Sequence, residues 1–483
     1  MPEGKNKMRT YDLNNKKGPV YKSLYEQIKA EILSGSLKSN EKMPSKRNFA
    51  RNLGISTISV ENAYDQLISE GYIYTIPKKG YYVADLQTFQ KMNYTPFQSV
   101  SDGSLSSSIA SINPKSSAGD VNYDFDFSSN TIETSCFPFS VWAKMVRETI
   151  SSRKNELLEI SPCGGVLELR EAIAGHLQSF RGMKVHPDQI IVGAGTEYLY
   201  GLIVQLLGKD KIYSIENPGY HKIKKIYESN GAKCICVEMD KNGILIESLK
   251  AGNSDVAHIS PAHHFPTGIT MPITRRYELL AWANENPNRY IIEDDYDSEF
   301  RINGRPIPPL QSIDMSGKVI YMNTFSKSLA STIRISYMVL PEQLAAEFYK
   351  KLSFYSCTVS TFEQYTLSQF IKQGYFEKHI NRMRLHYGRK RASVMEILHT
   401  YLSENQCKII ENDSGLHFIL QFNTSLSDSE IKQFFQKYNA KITSITDYDI
   451  NGSKTDSHQF ILNYSNMDTQ KLKNILSKID FPK

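Results

Sequence analysis

Residues 321–334 read YMNTFSKSLASTIR and place one lysine, Lys327, in a hydroxyl-rich loop that follows an apolar strand. A lysine amine can form a Schiff base with an aldehyde. The hydroxyls of Thr324 and Ser326 and the guanidinium of Arg334 suit a phosphate held beside that aldehyde. Pyridoxal 5′-phosphate carries both groups, so this stretch predicts a site for that cofactor.

Short apolar strands alternate with helical stretches from Asp124 onward. The predicted strands lie at 189–195, 211–216, 234–239, 256–260, 289–294, 318–323 and 336–341. This alternation predicts an α/β fold with a mostly parallel sheet. Ligands of such sheets bind beyond the carboxyl ends of the strands. The polar residues of interest lie at such ends, so we expect them to meet in one site.

Three further motifs follow predicted strands. Gly195 and Thr196 open a helix, and backbone N–H groups at such a start hold phosphate. Asp294 ends a strand, and a carboxylate there would keep the ring nitrogen of the cofactor protonated. Tyr296 is a candidate to hydrogen-bond the phenolic oxygen of the ring, and Tyr220 to stack on it. Each motif alone also fits an ordinary turn, an acidic loop without a ligand, or a packed tyrosine.

The first 85 residues differ from the rest in pattern and charge. They hold 14 Lys and Arg against 9 Asp and Glu, a balance of +5 in a chain whose total is +6. Apolar periodicity predicts helices over 20–33, 44–53 and 56–69, and residues 72–84 alternate like a β-hairpin. A basic module of three helices and a hairpin is a winged helix-turn-helix. It predicts DNA binding, with a protein-binding helical domain as the alternative.

This module resembles the DNA-binding domain of GntR-type bacterial regulators. The shared pattern includes P-S-K-R at 44–47, G-I-S-T-I-S-V at 54–60 and K-K-G-Y-Y-V at 78–83. The resemblance implies that the third helix enters the major groove and that the hairpin follows the neighbouring backbone. The residues implied to face DNA are Lys46, Arg47, Thr57, Ser59, Asn62, Lys78 and Lys79. Many relatives carry arginine in place of Thr57, so the base preference stays open.

The remaining motifs, in their order along the chain, resemble those of the fold-type I aminotransferases. This resemblance implies a large domain of that fold with a smaller C-terminal α+β subdomain. It implies that Lys327 binds pyridoxal 5′-phosphate as a Schiff base, with Asp294 at the pyridinium, Tyr296 at the ring oxygen and Tyr220 stacked. The implied phosphate ligands are Gly195, Thr196, Thr324, Ser326 and Arg334.

A GntR-type head on an aminotransferase-like body is the layout of the MocR subfamily of bacterial transcriptional regulators. This resemblance implies a homodimer, head-to-tail and domain-swapped, that binds operator DNA. One departure concerns the arginine with which amino-acid transaminases hold the substrate carboxylate in the C-terminal subdomain. The last arginine here is Arg391, and the final 92 residues contain none.

This departure argues against an ordinary amino acid as substrate or effector, and it is similar to the pattern of subfamily members that sense pyridoxal 5′-phosphate itself and control vitamin B6 supply. Our leading hypothesis, implied by this resemblance, is a regulator that senses the cofactor and controls vitamin B6 synthesis. The alternatives are a regulator that senses an amino acid or dipeptide through an external aldimine, and a working aminotransferase. Adjacent His263 and His264 lack further ligands nearby, so no metal site is predicted.

The motifs also divide the chain. We expect a DNA-binding domain over 18–85, a flexible linker rich in Ser, Asn and Gly over 86–122, and the aminotransferase-like domain over 123–483. No apolar run approaches the roughly 18–20 residues of a membrane span, and the N-terminus is too polar for a secretory signal. We therefore expect a cytoplasmic protein.

Overall fold

A computed structural model describes Tyr11 and residues 19–85, 123–129, 133–301, 307–403, 405–410, 415–452 and 456–479. The chain separates into two compact units, residues 1–120 and 121–483. The predicted linker over 86–122 lies outside the described residues. Within the described ranges, no helix combines the length and apolar character that a membrane crossing demands.

The first unit is built from three helices and a β-hairpin. These are α1 (Val20–Leu33), α2 (Lys46–Leu53), α3 (Thr57–Ser69), β1 (Ile73–Ile76) and β2 (Gly80–Val83). The hydroxyl oxygens of Ser45 and Ser56 cap α2 and α3 by accepting backbone N–H groups. The apolar faces of the helices meet in one core that includes Leu24, Ile28 and Leu67. The predicted winged helix-turn-helix is confirmed.

The second unit begins with the short strand β3 (Phe125–Asp126) and is built on an eight-stranded sheet. In spatial order the strands are β4 (Ile190–Gly193), β11 (Ser336–Val339), β10 (Val319–Thr324), β9 (Tyr290–Asp294), β8 (Val256–Ile259), β5 (Ile212–Asn217), β6 (Lys233–Asp240) and β7 (Gly243–Ile244). The pairs from β10 to β6 are parallel, and β11 runs antiparallel to both its neighbours. The predicted mostly parallel sheet is confirmed.

Helices cover both faces of this sheet. They are α4 (Phe139–Ser152), α5 (Leu167–Arg181), α6 (Thr196–Leu207), α7 (His221–Ser229), α8 (Ile246–Ala251), α9 (Ile273–Asn284), α10 (Phe325–Ser328), α11 (Glu342–Leu352) and α12 (Thr361–Lys372). Consecutive strand residues enter different apolar clusters: Ile190 and Val192 pack with α5, whereas Ile191 packs with α6. This alternation is the two-residue period of a strand that is buried on both sides.

The C-terminal lobe, residues 375–479, is the smaller α+β subdomain that was predicted. It contains α13 (Tyr375–Tyr401), β12 (Cys407–Ile410), β13 (His417–Phe422), α14 (Asp428–Gln436), β14 (Ala440–Lys441), β15 (Thr443–Ser444), β16 (Gln459–Asn463) and α15 (Thr469–Leu476). Strands β12, β13, β16 and β15 form an antiparallel sheet. Strand β14 pairs in parallel with β3, which attaches residues 123–129 to this lobe.

Candidate cofactor site and DNA-binding surface

A cavity of about 470 Å³ lies at the carboxyl ends of β5, β8, β9 and β10. Its wall includes eight of the nine predicted cofactor residues: Thr196, Tyr220, Asp294, Tyr296, Thr324, Ser326, Lys327 and Arg334. The ninth, Gly195, precedes Thr196 and lies against Arg334. The parallel strands deliver these residues to one edge of the sheet, where such folds bind their ligands.

Lys327 lies on α10, directly after β10. Thr324 caps this helix, because its hydroxyl oxygen accepts the N–H of Ser326 at 3.1 Å and the hydroxyl of Ser336 at 2.8 Å. Burial lowers the pKa of Lys327 to about 8, while the nearby carboxylate of Asp297 acts in the opposite direction. A larger share of this amine is therefore neutral near pH 7 than for an ordinary lysine, and the neutral amine is the form that attacks an aldehyde.

Asp294 ends β9 with its side chain buried in the cavity wall. Its Oδ2 accepts the hydroxyl of Tyr200 at 2.7 Å and lies 3.6 Å from Nε2 of His258. The other ring nitrogen of His258 is 2.8 Å from the hydroxyl of Tyr227. Oδ1 of Asp294 has no hydrogen-bonding partner among the described residues. A buried acceptor of this kind suits a ligand that brings a donor, such as a protonated pyridine nitrogen.

The predicted phosphate ligands meet where α6 begins. Gly195 has a φ of +94°, and a Cβ at this position would lie 2.9 Å from Cζ of Arg334. Glycine thus leaves room for the guanidinium beside the first N–H groups of the helix, a cradle that suits a phosphate. The hydroxyl of Ser326 donates to the carbonyl of Ile333 at 3.0 Å, so its proton is already used within the loop.

A carboxylate that sequence reasoning missed also lies at this end of the cavity. Oε1 of Glu197 is 3.5 Å from Nη2 of Arg334 and accepts a hydrogen bond from Lys222. Lys222, more strongly than Arg334, lowers the pKa of Glu197. The side chains of Glu197, Lys222 and Arg334 are all about half exposed, so water weakens these ion pairs. A phosphate dianion could therefore compete with Glu197 for Lys222 and Arg334.

The two predicted ring contacts occupy different surroundings. Tyr220 is 50% exposed where α7 begins. The hydroxyl of Tyr296 is 3.3 Å from Nδ1 of His263, which is 2.8 Å from Oδ2 of Asp297. Burial, followed by the charge of Asp297, raises the pKa of Tyr296. Its phenol therefore keeps its proton and can donate it to a ligand oxygen.

One wall of the cavity is aromatic and is formed by Tyr448 of the C-terminal lobe and by Phe265, which follows β8. Tyr448 lines the cavity, and its ring meets that of Phe265 edge-on at 5.1 Å. An apolar cluster lies behind these two rings and contains Ile419, Ile445 and Ile461. The cations of the cavity wall are Lys222, Lys327 and Arg334, and all three precede the C-terminal lobe. Ser128, from the segment attached to β14, also lines the cavity.

Glu216 and His264 are two further buried groups in the cavity wall; sequence reasoning did not name Glu216 and considered His264 only as a metal ligand. Oε2 of Glu216 accepts the N–H of Ser260 at 2.9 Å and lies 3.6 Å from Nε2 of His264. Burial raises the pKa of Glu216 to about 8 and lowers that of His264 to about 3. Both groups are therefore mainly uncharged near pH 7. The position of Glu216 at the end of a predicted strand was the signal available in the sequence.

The predicted DNA-facing residues of the first unit differ in their exposure to solvent. Exposed side chains belong to Arg47, Thr57, Asn62, Lys78 and Lys79. Ser59 is half-buried, and its hydroxyl shares a hydrogen bond of 2.9 Å with that of Ser56. Lys46 is 20% exposed and forms ion pairs with Glu61 at 2.8 Å and Asp65 at 3.2 Å. The two hairpin lysines and Arg47 are thus the solvent-facing cations of the predicted set.

Comparison with known proteins places both units in families. Residues 20–83 match the family of bacterial regulatory proteins of the gntR type, and residues 124–479 match aminotransferase class I and II. An archaeal alanine:glyoxylate aminotransferase has the same fold, with a TM-score of 0.64 and 22% identity over 77% of this chain and 93% of its own. The protein therefore has a GntR-type DNA-binding domain and a domain of the fold-type I aminotransferases.

Relatives with the same two-part layout identify the subfamily. An HTH-type transcriptional regulator of Bacillus subtilis, YdeL, is 36% identical over 91% of this chain and 90% of its own. MocR of Rhizobium meliloti, a probable rhizopine catabolism regulatory protein, is 32% identical over 85% of this chain and 83% of its own. PdxR of Corynebacterium glutamicum, a pyridoxine biosynthesis regulator, is 29% identical over 82% of both chains. The chain belongs to the MocR-type subfamily of GntR transcriptional regulators.

Proposed function

We propose that this regulator binds pyridoxal 5′-phosphate at Lys327 and operator DNA through its N-terminal domain, that it senses the cofactor itself, and that it controls vitamin B6 synthesis. The observation that carries the proposal is that Lys327, Asp294 and the Gly195–Arg334 cradle share one cavity. An amine, a carboxylate and a phosphate cradle match the aldehyde, the ring nitrogen and the phosphate of this cofactor.

The predicted residues of the cavity then divide the parts of the cofactor among them. The bound cofactor would supply an aldehyde and an electron-withdrawing ring. Lys327 would hold the aldehyde carbon, Asp294 would accept the ring N–H at Oδ1, and Tyr296 would donate to the phenolic oxygen. Tyr220 would cover the ring. The phosphate would be held by Gly195, Thr196, Thr324 and Arg334, and by Ser326 if its hydroxyl turned from the carbonyl of Ile333 to the phosphate.

The aromatic wall favours the cofactor, rather than an amino acid, as the signal. A carboxylate that leaves water needs a cation or several N–H donors. An amino acid whose carboxylate faced this aromatic wall would meet Phe265 and Tyr448 instead. The name of the relative PdxR, a pyridoxine biosynthesis regulator, agrees with this choice.

A second candidate signal is an amine that reacts with the bound cofactor. Glu216 supports it, because this carboxyl lines the cavity, is absent from the predicted cofactor set and has a pKa raised to about 8. In its carboxylate form, which predominates only above about pH 8, such a group can take a proton from an incoming ammonium. The same chemistry would be required of a working aminotransferase.

We also propose that the functional unit is a homodimer, head-to-tail and domain-swapped. Several large apolar side chains of the second unit are strongly exposed, among them Phe139 (70%), Leu158 (84%), Ile160 (82%) and Phe354 (75%). A second copy of the chain would cover such side chains. Two N-terminal domains would then be available for two half-sites on DNA.

Operator binding by the full-length protein tests the proposal. Fluorescence anisotropy is measured on duplexes from upstream of vitamin B6 synthesis genes in the same genome, with and without pyridoxal 5′-phosphate. The variants are Lys327→Ala and, as a matched control, the exposed Lys350→Ala. We expect the cofactor to change the affinity of the wild type and of the control but not that of Lys327→Ala.

The outcomes separate the candidates. If the cofactor binds at Lys327 but affinity changes only when an amino acid or amine is added, the second candidate replaces the first. Formation of a keto acid from an added amino donor would instead support an aminotransferase. If Lys327→Ala responds to the cofactor as the wild type does, the assignment of Lys327 is wrong.

A further inference from the structure

The exposed face of α3 offers DNA no cation. The 13 residues of this helix, TISVENAYDQLIS, include neither Lys nor Arg. Its two carboxylates, Glu61 and Asp65, are both paired with Lys46 of α2. In the major groove, guanine is most often recognised by an Arg or Lys side chain that forms two hydrogen bonds with its O6 and N7 atoms. The side chains of α3 therefore lack this contact with guanine, which favours recognition of A·T base pairs over G·C pairs.

Two side chains on this face, one apolar and one an amide, can contact base edges without a positive charge. Ile58 is 68% exposed, and it belongs to the first turn of the helix. Asn62 follows four residues later and is also exposed, so the two side chains are neighbours on one helical face. The N-terminal part of a recognition helix is the part that reaches base edges. A single exposed isoleucine elsewhere would need no explanation, but Ile58 lies in the part of the helix that reaches base edges in such domains.

We propose that Ile58 and Asn62 read A·T base pairs, with Ile58 packed on the C5 methyl group of thymine and Asn62 paired with adenine. Apolar side chains contact the thymine methyl in the major groove, and asparagine bonds to adenine N6 and N7. This inference rests on the proposed operator binding. It also requires that each half-site contain a thymine whose methyl group contributes to the affinity, which DNA binding alone does not require.

The test uses the full-length protein and removes single methyl groups from DNA. Selection from randomised duplexes gives a binding site, and each thymine in it is then replaced in turn by deoxyuridine, which lacks only the C5 methyl. At one thymine per half-site we expect wild-type affinity to fall about fourfold, the factor for one methyl group returned to water. Ile58→Ala should bind the thymine and deoxyuridine duplexes equally. Asn62→Ala should lose the preference for adenine.

Thr57 provides the matched control, because it is the exposed neighbour of Ile58 and carries a methyl group of its own. Thr57→Ser removes that methyl, and the response to deoxyuridine should persist. If Thr57→Ser abolishes the response while Ile58→Ala retains it, Thr57 is the reader and the proposal is overturned. A wild type that is indifferent to deoxyuridine at every position also overturns it. Failure to bind any duplex refutes the proposed DNA binding instead.

Discussion

Replacement of Gly195 by alanine should selectively weaken the binding of pyridoxal 5′-phosphate. The backbone here, with φ +94° and ψ 159°, lies in a region that is essentially restricted to glycine. A side chain at this position is expected to lower the free energy of unfolding by about 1–3 kcal/mol. The new Cβ would also lie 2.9 Å from Cζ of Arg334, which is closer than van der Waals contact, so the guanidinium must move.

The effect on affinity follows from that displacement. A hydrogen bond to a charged group contributes about 1.5–3 kcal/mol. Loss of one such bond between Arg334 and the phosphate should raise the Kd for the cofactor about 10- to 100-fold. Pyridoxal, which has no phosphate, should bind the wild type and Gly195→Ala alike, because Arg334 has nothing to hold in that ligand.

Gly182→Ala is the matched control. Gly182 follows α5 with a φ of +70°, and a Cβ there would meet no atom within 4 Å. It should therefore show a stability loss without a loss of cofactor affinity. Absorbance titration gives the Kd, and thermal unfolding without cofactor gives the stability. Equal affinity of Gly195→Ala and the wild type for the cofactor would refute the reasoning, as would an equal loss in Gly182→Ala.

Three other perturbations have defined outcomes. Because burial lowers the pKa of Lys327 from 10.5 to about 8, half of the amine is neutral at about pH 8, and the neutral fraction levels off about one unit above that. The rate of cofactor attachment, followed by absorbance, should show the same profile, and a flat profile from acidic to alkaline pH would contradict the assignment. Lys46→Met leaves the carboxylates of Glu61 and Asp65 uncompensated, so operator affinity should fall at least about tenfold while stability changes by about 1 kcal/mol or less. The added substitution Glu61→Gln should restore part of that affinity, and no restoration would argue against charge as the cause. Leu67→Ala creates a cavity in the first unit and should lower its stability by about 2–5 kcal/mol, with loss of operator binding but retention of the cofactor. Loss of both activities would contradict the separation into two units.

Local patterns were sufficient to predict the elements and the residues at strand ends. Serine caps and glycine stops define α2 and α3, and their signals lie within a few residues of the helix ends. Asp294 and Lys327 could be predicted to meet because parallel strands deliver their carboxyl ends to one edge of a sheet. Their roles toward the cofactor stay predictions, since position alone does not define a ligand.

The specific hydrogen bonds, ion pairs and ring contacts between distant parts of the chain could not be predicted. Tyr200 supports Asp294 across 94 residues of sequence, and the ring of Tyr448 reaches Phe265 from the C-terminal lobe. The pairing of Lys46 with carboxylates of α3 depends on how two helices cross, which apolar periodicity does not define. Glu197 is similar, because its partners Lys222 and Arg334 come from elements far along the chain. Electrostatic partners of this kind can be identified only from the tertiary structure.

The pairing of β3 with β14 has a mechanical consequence. Residues 123–129 are joined to the C-terminal lobe by this pairing and by the hydrogen bond of 2.7 Å from the N–H of Asn463 to the carbonyl of Phe127. The same segment lines the cavity with Ser128. A rotation of the lobe that narrows or widens the cavity must therefore drag this segment with it. Residues 123–129 are thereby coupled to the wall against which a ligand would press.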